Sequence, residues 1–291
     1  MDELELANRF ERQRPQLRSV AYRILSSVSE ADDAVQEAWL RLARTDAKQI
    51  DSLERWLTTV VARICLNMLR FRRTRGEEPL DGLRPEPIID DPAVGIDPEH
   101  EALWADSVGI ALQVVLETLT PAERLAFVLH DMFALPFEEI ALMVDRSPQA
   151  TRQLASRARR RVRDAAPPPD RDLARQRRVV DAYFAAAREG DLDALAAVLA
   201  PEVVLRAHRR VGDPLELHGS ARVAEGAMTA RRFAKYVRPA LINGAPGAIA
   251  FDGQRPFAVL AFTVIGDRAV AIDVFNDPEL VARLDIRGIT A

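Results

Sequence analysis

The prolines divide this chain before any other signal is read. Pro79, Pro85, Pro87, Pro92 and Pro98 fall within one acid-rich stretch, Glu77 to Pro98. Each fixes φ and removes a backbone donor, so the stretch is neither regular helix nor central strand. Further on, Pro167-Pro168-Pro169 reads as a stiff spacer in the polyproline conformation. The chain is thereby parsed into residues 1–76, a linker 77–98, residues 99–166, a second linker 167–172 and residues 173–291. With 291 residues and 48% apolar side chains, it has the composition of an ordinary globular protein able to bury more than one core.

The middle block spells out a helix-turn-helix. Thr120-Pro121-Ala122-Glu123 is a capping box with proline at the first helical position, leading into Leu125, Phe127, Val128, Leu129 and Met132 as a buried face. Leu135-Pro136 ends that helix. A second runs from Phe137 to Val144 with Glu138 and Glu139 in its first turn, where the dipole favours acids. Asp145-Arg146 forms the turn. Ser147 then caps a third helix, with Ala150, Leu154 and Ala158 on an inner stripe and Gln149, Arg152, Gln153, Ser156 and Arg160 outside. No acid occurs from Arg146 through Arg163. An arginine-rich helix end is also what an ordinary solvated face looks like, but three capped helices with an acid-free third are more specific. The outer residues are candidate base and phosphate readers.

The first block reads as all helix: Glu5 to Leu25, a second helix capped by Ser29 and running to about Leu42, and a third from Ser52 to Arg73. On the second, Val35, Ala38, Trp39 and Leu42 face inward and leave Asp32, Asp33, Gln36 and Glu37 as an acidic outer patch. On the third, Leu53, Leu57, Val60, Ile64 and Met68 face inward, while Arg63, Asn67 and Arg70 share an outer stripe leading to Arg72, Arg73 and Arg75. One block thus offers a surface for a basic partner and another for phosphates. Two unrelated solvated faces would show the same charges.

Net charge is −4, yet the bases cluster in Arg63–Arg75 and Arg146–Arg163, so the field must be judged by segment. The single cysteine, Cys65, excludes a disulfide framework and reads as a buried thiol. The four histidines have no metal-ligand spacing, and no metal or cofactor is expected. No apolar run approaches the ~20 residues of a membrane span, and the acidic N-terminus is unlike a signal peptide, so a cytoplasmic protein without membrane contact is expected.

The last block begins with helices, Arg175 to Glu189 ending at Gly190, then Leu192 to Leu199. Strands follow at Val203–Ala207, Ala248–Asp252, Phe257–Val264 and Ala269–Val274, with a helical stretch at Ala221–Phe233 between them. Helices followed by a sheet that can curl around them imply an α+β domain.

Ser29-Glu30-Ala31-Asp32-Asp33-Ala34-Val35-Gln36-Glu37-Ala38-Trp39-Leu40-Arg41-Leu42 resembles region 2.2 of bacterial sigma factors, and Arg55-Trp56-Leu57-Thr58-Thr59-Val60-Val61-Ala62-Arg63 resembles regions 2.3 to 2.4. Leu119-Thr120-Pro121-Ala122-Glu123-Arg124 and Arg152-Gln153-Leu154-Ala155-Ser156-Arg157-Ala158 resemble region 4. The whole is similar to an extracytoplasmic-function sigma factor whose tail resembles a SnoaL-like domain. Leu83-Arg84-Pro85-Glu86-Pro87 and Asn243-Gly244-Ala245-Pro246-Gly247 match that subgroup. The fold implied is multidomain: two all-α sigma domains, the second a helix-turn-helix, followed by an α+β SnoaL-like cone-shaped barrel. The subgroup's Asp-Gly-Gly-Gly-Lys signature is replaced by Ala207-His208-Arg209-Arg210-Val211. Its closing Asn-Pro-Asp-Lys-Leu survives only partly, as Asn276-Asp277-Pro278-Glu279-Leu280, and Asp145 replaces the usual turn glycine.

The resemblance implies a promoter-specificity factor, not an enzyme, whose partners are core RNA polymerase and promoter DNA. Asp33, Gln36 and Glu37, with Asp32 at the rim, would meet the polymerase clamp helices. The segment from Lys48 to Trp56 would hold the flipped minus-ten strand, Trp56 either stacking or filling the core, with Arg63, Asn67 and Arg70 on phosphates or base edges. Gln149, Arg152, Gln153, Ser156 and Arg157 would read the minus-thirty-five element. The tail would regulate in cis through an intramolecular contact with the linker near Leu83–Pro87, using Arg206, Arg209 and Arg210. A rival reading makes the tail a small-molecule sensor or an isomerase- or hydrolase-like enzyme; Tyr183, His208, Tyr236 and Asp273 are its candidate groups, without recognisable spacing. An ordinary helix-turn-helix repressor would leave the first block unexplained.

Overall fold

The computed structural model describes residues 3–45, 50–74, 85–96, 110–165, 172–208, 215–286 and 288–289. Three helices open the chain: α1 (Glu3–Leu25), α2 (Val28–Ala43) and α3 (Leu53–Thr74). The cap of α2 is Ser27, whose side chain accepts from the Glu30 amide, and not Ser29 as the sequence suggested. Cys65 is buried on α3, and burial pushes its thiol pKa up.

A short α4 (Ile110–Glu117) precedes the helix-turn-helix, which comprises α5 (Pro121–Phe127) extended by a π-turn over Val128–Met132, α6 (Phe137–Val144) and α7 (Pro148–Ala165). The Thr120–Glu123 capping box is present in full. Asp145 adopts the left-handed conformation (φ 56°, ψ 56°), and the Ser147 hydroxyl accepts from the Ala150 amide at 3.2 Å. The fully buried line of α7 is Thr151, Ala155 and Ala158; Ala150 and Leu154 are only half-buried, one position around from the expected stripe.

The tail contains α8 (Leu173–Glu189), α9 (Leu192–Val198), α10 (Ser220–Thr229), a 3₁₀ turn (Arg231–Tyr236) and α11 (Pro278–Arg283) around strands β2 (Leu199–His208), β3 (Leu215–His218), β4 (Val237–Ile242), β5 (Ala245–Asp252), β6 (Arg255–Ile265) and β7 (Arg268–Phe275). A seventh strand, β1 (Ile89–Asp90), comes from the proline-rich linker and pairs antiparallel with β4 at the sheet edge. The order is β1-β4-β5-β6-β7-β2-β3, with only β2 and β7 parallel among neighbours. Strand alternation gives the sheet two apolar faces. One buries Leu199, Phe262, Val264 and Ile272 beneath Val179, Tyr183 and Phe184 of α8. The other buries Ile242, Ile249, Val259 and Phe275 with Leu280 of α11, Ile89 of the linker and Ile110 of α4.

The β4–β5 hairpin turns on Asn243 and Gly244, both at positive φ (51° and 74°), as a two-residue turn requires. Gly247 cannot carry a side chain: a Cβ there would lie 2.6 Å from the Leu260 carbonyl oxygen. These geometric demands account for the Asn243–Gly247 motif.

Candidate nucleic-acid interface and linker clasp

On α7, Gln149, Arg152, Gln153, Ser156 and Arg157 are all exposed on the side away from Thr151, Ala155 and Ala158. Arg152 donates to Glu138 of α6 at 2.7 Å, and its guanidinium lies 5.6 Å from the Phe137 ring centroid. Arg159, on the same helix, pairs with Asp131. A guanidinium steered by a ring and a carboxylate at the helix start is aimed before any DNA arrives.

On α3, Arg63, Asn67 and Arg70 form one exposed stripe, as their spacing requires, and Trp56 is half-buried against the core. Lys48 lies outside the described residues. On α2, Asp32, Asp33 and Gln36 are exposed and Glu37 is half-exposed, over a buried line of Ala31, Ala34, Val35 and Ala38. Asp32 is tied to Arg18 of α1 at 2.7 Å and Glu37 to Arg41 at 2.9 Å. Asp33 and Gln36 have no partner among the described residues, so they are the open part of this face.

The two helical blocks share a single apolar core, which runs from Phe10 and Leu57 through Leu116 and Leu129 to Ala158. Polar groups of the second block finish the first. Gln113 of α4 donates to the Tyr22 carbonyl at 3.0 Å and to the Ser26 hydroxyl at 2.7 Å, while Arg124 donates to the Ile24 carbonyl at 2.9 Å and pairs with Glu117. Together they satisfy carbonyls at the end of α1, groups any helix leaves open. Arg63 donates to the Leu142 carbonyl at 3.4 Å, and Arg55 pairs with Glu139 at 3.5 Å. In this closed arrangement α6 engages two arginines of α3.

The linker is clasped between the first block and the tail. Tyr22, 2% exposed, donates its hydroxyl to the Glu86 carbonyl at 2.8 Å. Burial pushes its phenol pKa up, which keeps the hydroxyl a donor. Glu86 in turn accepts from Ser27 and the Val28 amide, both at 3.1 Å. From the tail, the Asn243 side-chain oxygen accepts from the Ile88 amide at 2.8 Å, its amide nitrogen donates to the Tyr22 hydroxyl at 3.3 Å, and its backbone amide donates to the Ile88 carbonyl at 2.8 Å. Sequence reasoning did not find Tyr22 or Gln113, and assigned Asn243 only by resemblance. It placed the linker contact on Arg206, which instead forms a two-pronged pair with Asp273 at 2.8 and 3.1 Å; Arg209 and Arg210 lie outside the described residues.

Of the tail's four candidate catalytic groups, only His208 and Asp273 meet. Tyr183 is packed edge-on between Phe184 and Phe262 on the helix-covered face, Tyr236 is 40% exposed, and His208 and Asp273 lie together on the opposite face. Burial alone would raise the Asp273 pKa; the His208 hydrogen bond and the Arg206 charge outweigh it and hold the carboxyl below its usual range. Asp273 is thus a neutralised structural anion. Among the described residues no group of His, Cys, Asp and Glu could hold a metal, and no helix is long and apolar enough to cross a membrane.

A helical block with an acidic face and a basic stripe, joined to a helix-turn-helix, defines a sigma-70-type transcription factor. Residues 9–75 match sigma-70 region 2 and residues 110–162 match sigma-70 region 4. The ECF RNA polymerase sigma factor SigJ of Mycobacterium tuberculosis (strain H37Rv) is 37% identical over 288 residues, covering 92% of this chain and 90% of its own. The probable ECF sigma factor SigI of the same organism is 33% identical over 269 residues, covering 91% of each. The crystal structure of SigJ superposes with a TM-score of 0.77 at 33% identity, covering 97% of this chain and 100% of that one. The chain belongs to the extracytoplasmic-function (ECF) family of RNA polymerase sigma factors, with an α+β tail of the SnoaL-like kind. It binds core RNA polymerase and promoter DNA and directs transcription initiation.

Proposed function

We propose that Asp33, Gln36 and Glu37, with Asp32 at the rim, dock on core polymerase; that Lys48, Trp56, Arg63, Asn67 and Arg70 handle the minus-ten element; and that Gln149, Arg152, Gln153, Ser156 and Arg157 handle the minus-thirty-five element. The exposure of Asp33 and Gln36 and of the α3 and α7 stripes supports this division. Trp56, half-buried, keeps one edge available for a base while anchoring the helix.

The fused domain (residues 173–291) is a regulator in cis and not an enzyme, acting with the polymerase in the cytoplasm. The observation that carries this reading is the clasp: one asparagine of the tail holds the linker and Tyr22 at once. A tail fixed there stabilises the closed arrangement in which α3 faces α6, and releasing it shifts the population toward open forms. Removing residues from Leu173 onward is expected to keep core binding and raise transcription several-fold. Equal output from full-length and truncated protein, at equal holoenzyme concentration on several promoters, would exclude regulation by the tail.

A further inference from the structure

The 3₁₀ turn Arg231–Tyr236 and the start of β4 carry Arg231, Arg232, Lys235 and Arg238, in a stretch from Gly226 to Phe251 that contains no acid. The chain as a whole carries net negative charge, so this is a local concentration against the average. Among the described residues none of the four cations pairs with a carboxylate, whereas Arg18, Arg41, Arg124 and Arg206 all do. The acids on the elements packed against the turn, Asp181 and Glu189 of α8, Glu225 of α10 and Asp252 of β5, leave them unpaired.

The turn is also fixed in place. Phe233 packs on Phe257 with ring centroids 4.6 Å apart, and Arg231 donates to the Glu189 carbonyl at 3.4 Å, across the space a side chain at Gly190 would fill. Arg232 lies 4.7 Å from the Phe233 ring centroid and Lys235 lies 4.8 Å from that of Tyr236. A cation resting on a ring loses some side-chain freedom yet keeps its charge and outer N–H groups available. In a 3₁₀ turn, residues three apart eclipse, so Arg232 and Lys235 project from one side.

We propose that this turn is a third DNA-contacting surface, engaging the phosphate backbone of promoter DNA without reading sequence. Once the other two domains are on their elements, DNA is the polyanion at highest effective concentration beside the tail. Arg232 and Lys235 rest on the Phe233 and Tyr236 rings and are not extended to reach into a groove, which favours phosphate contact. With Ala234 buried and Phe233 half-buried, the turn exposes only Tyr236, too little apolar surface to anchor in a bilayer.

The test is the full-length chain bound to core polymerase, carrying Arg232→Glu with Lys235→Glu, titrated by fluorescence anisotropy against cognate and scrambled promoter duplexes over a range of salt. Arg268→Glu with Arg283→Glu changes net charge equally at exposed sites outside the turn and serves as the control. Loss of two phosphate contacts lowers the slope of log affinity against log salt by about 1.8. At low salt the expected loss is about tenfold, the same on both duplexes, with the control within about twofold of wild type. An unchanged slope, or equal losses in the control pair, overturns the proposal. So does lost binding to anionic phosphatidylserine vesicles with DNA binding intact, which would assign the turn to a membrane surface. Core affinity and the cognate-to-scrambled ratio, measured in the same samples, report on the sigma assignment separately.

Discussion

Replacing Asn243 with alanine should release the tail from the linker. The side chain makes two buried hydrogen bonds, one from the Ile88 amide at 2.8 Å and one to the Tyr22 hydroxyl at 3.3 Å, and the residue itself is 5% exposed. Truncation leaves the Ile88 donor without a partner, at about 1–3 kcal/mol. Asn243 also sits at φ 51°, where alanine is worse than asparagine by roughly 1 kcal/mol. The lost bonds, about 2 kcal/mol, give roughly a thirtyfold increase in the undocked population; the backbone strain is the same docked or undocked, because the β4–β5 hairpin lies within the tail, and it lowers the stability of the tail itself. Asn243→Gly loses the same side-chain bonds without the backbone strain, so about 2 kcal/mol and roughly a thirtyfold increase are expected. Amide hydrogen exchange across β1 and the end of β4 reads this population directly. Both variants should exchange faster there and to a similar extent, with alanine additionally lowering the melting temperature of the tail, and with α3 and α7 unchanged in secondary structure. If neither variant accelerates exchange in β1, then Asn243 does not hold the linker and the reasoning from the clasp to regulation fails.

Three further outcomes are expected. Asp33→Lys with Glu37→Lys should lower core affinity more than tenfold, since close charge pairs across interfaces contribute about 2–5 kcal/mol; a folded double variant that co-elutes with core at wild-type affinity would remove this face from the polymerase contact. Arg152→Ala should lose about 1–3 kcal/mol on cognate minus-thirty-five DNA and relax selectivity, whereas Arg160→Ala should weaken all sequences alike and reduce the salt slope by about 1; equal losses on cognate and scrambled DNA would take Arg152 out of the readout. The Asp273 carboxyl, held below its usual range, contributes stability that is full above the ordinary pKa of ~3.9 and is lost as pH falls through its lower folded value. Asp273→Asn should therefore unfold at lower temperature at pH 7 and lack that acid-side decline, and an unchanged thermal profile between pH 2 and pH 7 would show that the Arg206 pair is energetically silent.

What the sequence made legible was local. Caps, turns and one-sided apolar stripes are decided within a few residues, so the helix-turn-helix, the acidic face of α2 and the basic stripe of α3 all emerge from spacing alone, and Asp145, standing where glycine is usual, takes the left-handed position. What it hid was pairing at a distance. Strand β4 carries Pro239 and lacks a clean alternation, and its partner β1 is two residues of a proline-rich linker; nothing within either segment points to the other. Tyr22 reads as one more apolar helix residue until Glu86 and Asn243 are brought to its hydroxyl. His208 and Asp273, suggested as catalytic groups without recognisable spacing, do meet, but Arg206 two residues before His208 takes both oxygens of the carboxylate and completes a buried ion cluster. The apolar period of β2 gave no sign of that third partner.

The closed arrangement fixes what the chain must do to act. The two promoter elements are centred some 25 base pairs apart, ~85 Å at 3.4 Å per pair. A compact two-domain body of this size is roughly 40 Å across. The two readers therefore cannot reach both elements while Gln113 and Arg124 cap α1 and one apolar core spans both blocks. Opening requires the Tyr22 hydroxyl to leave Glu86 and Asn243, and α4 to leave both α1 and the sheet face where Ile110 is buried. If the tail regulates as proposed, its influence on initiation is set by how firmly Asn243 holds Tyr22 and the linker compared with how firmly polymerase holds the open form.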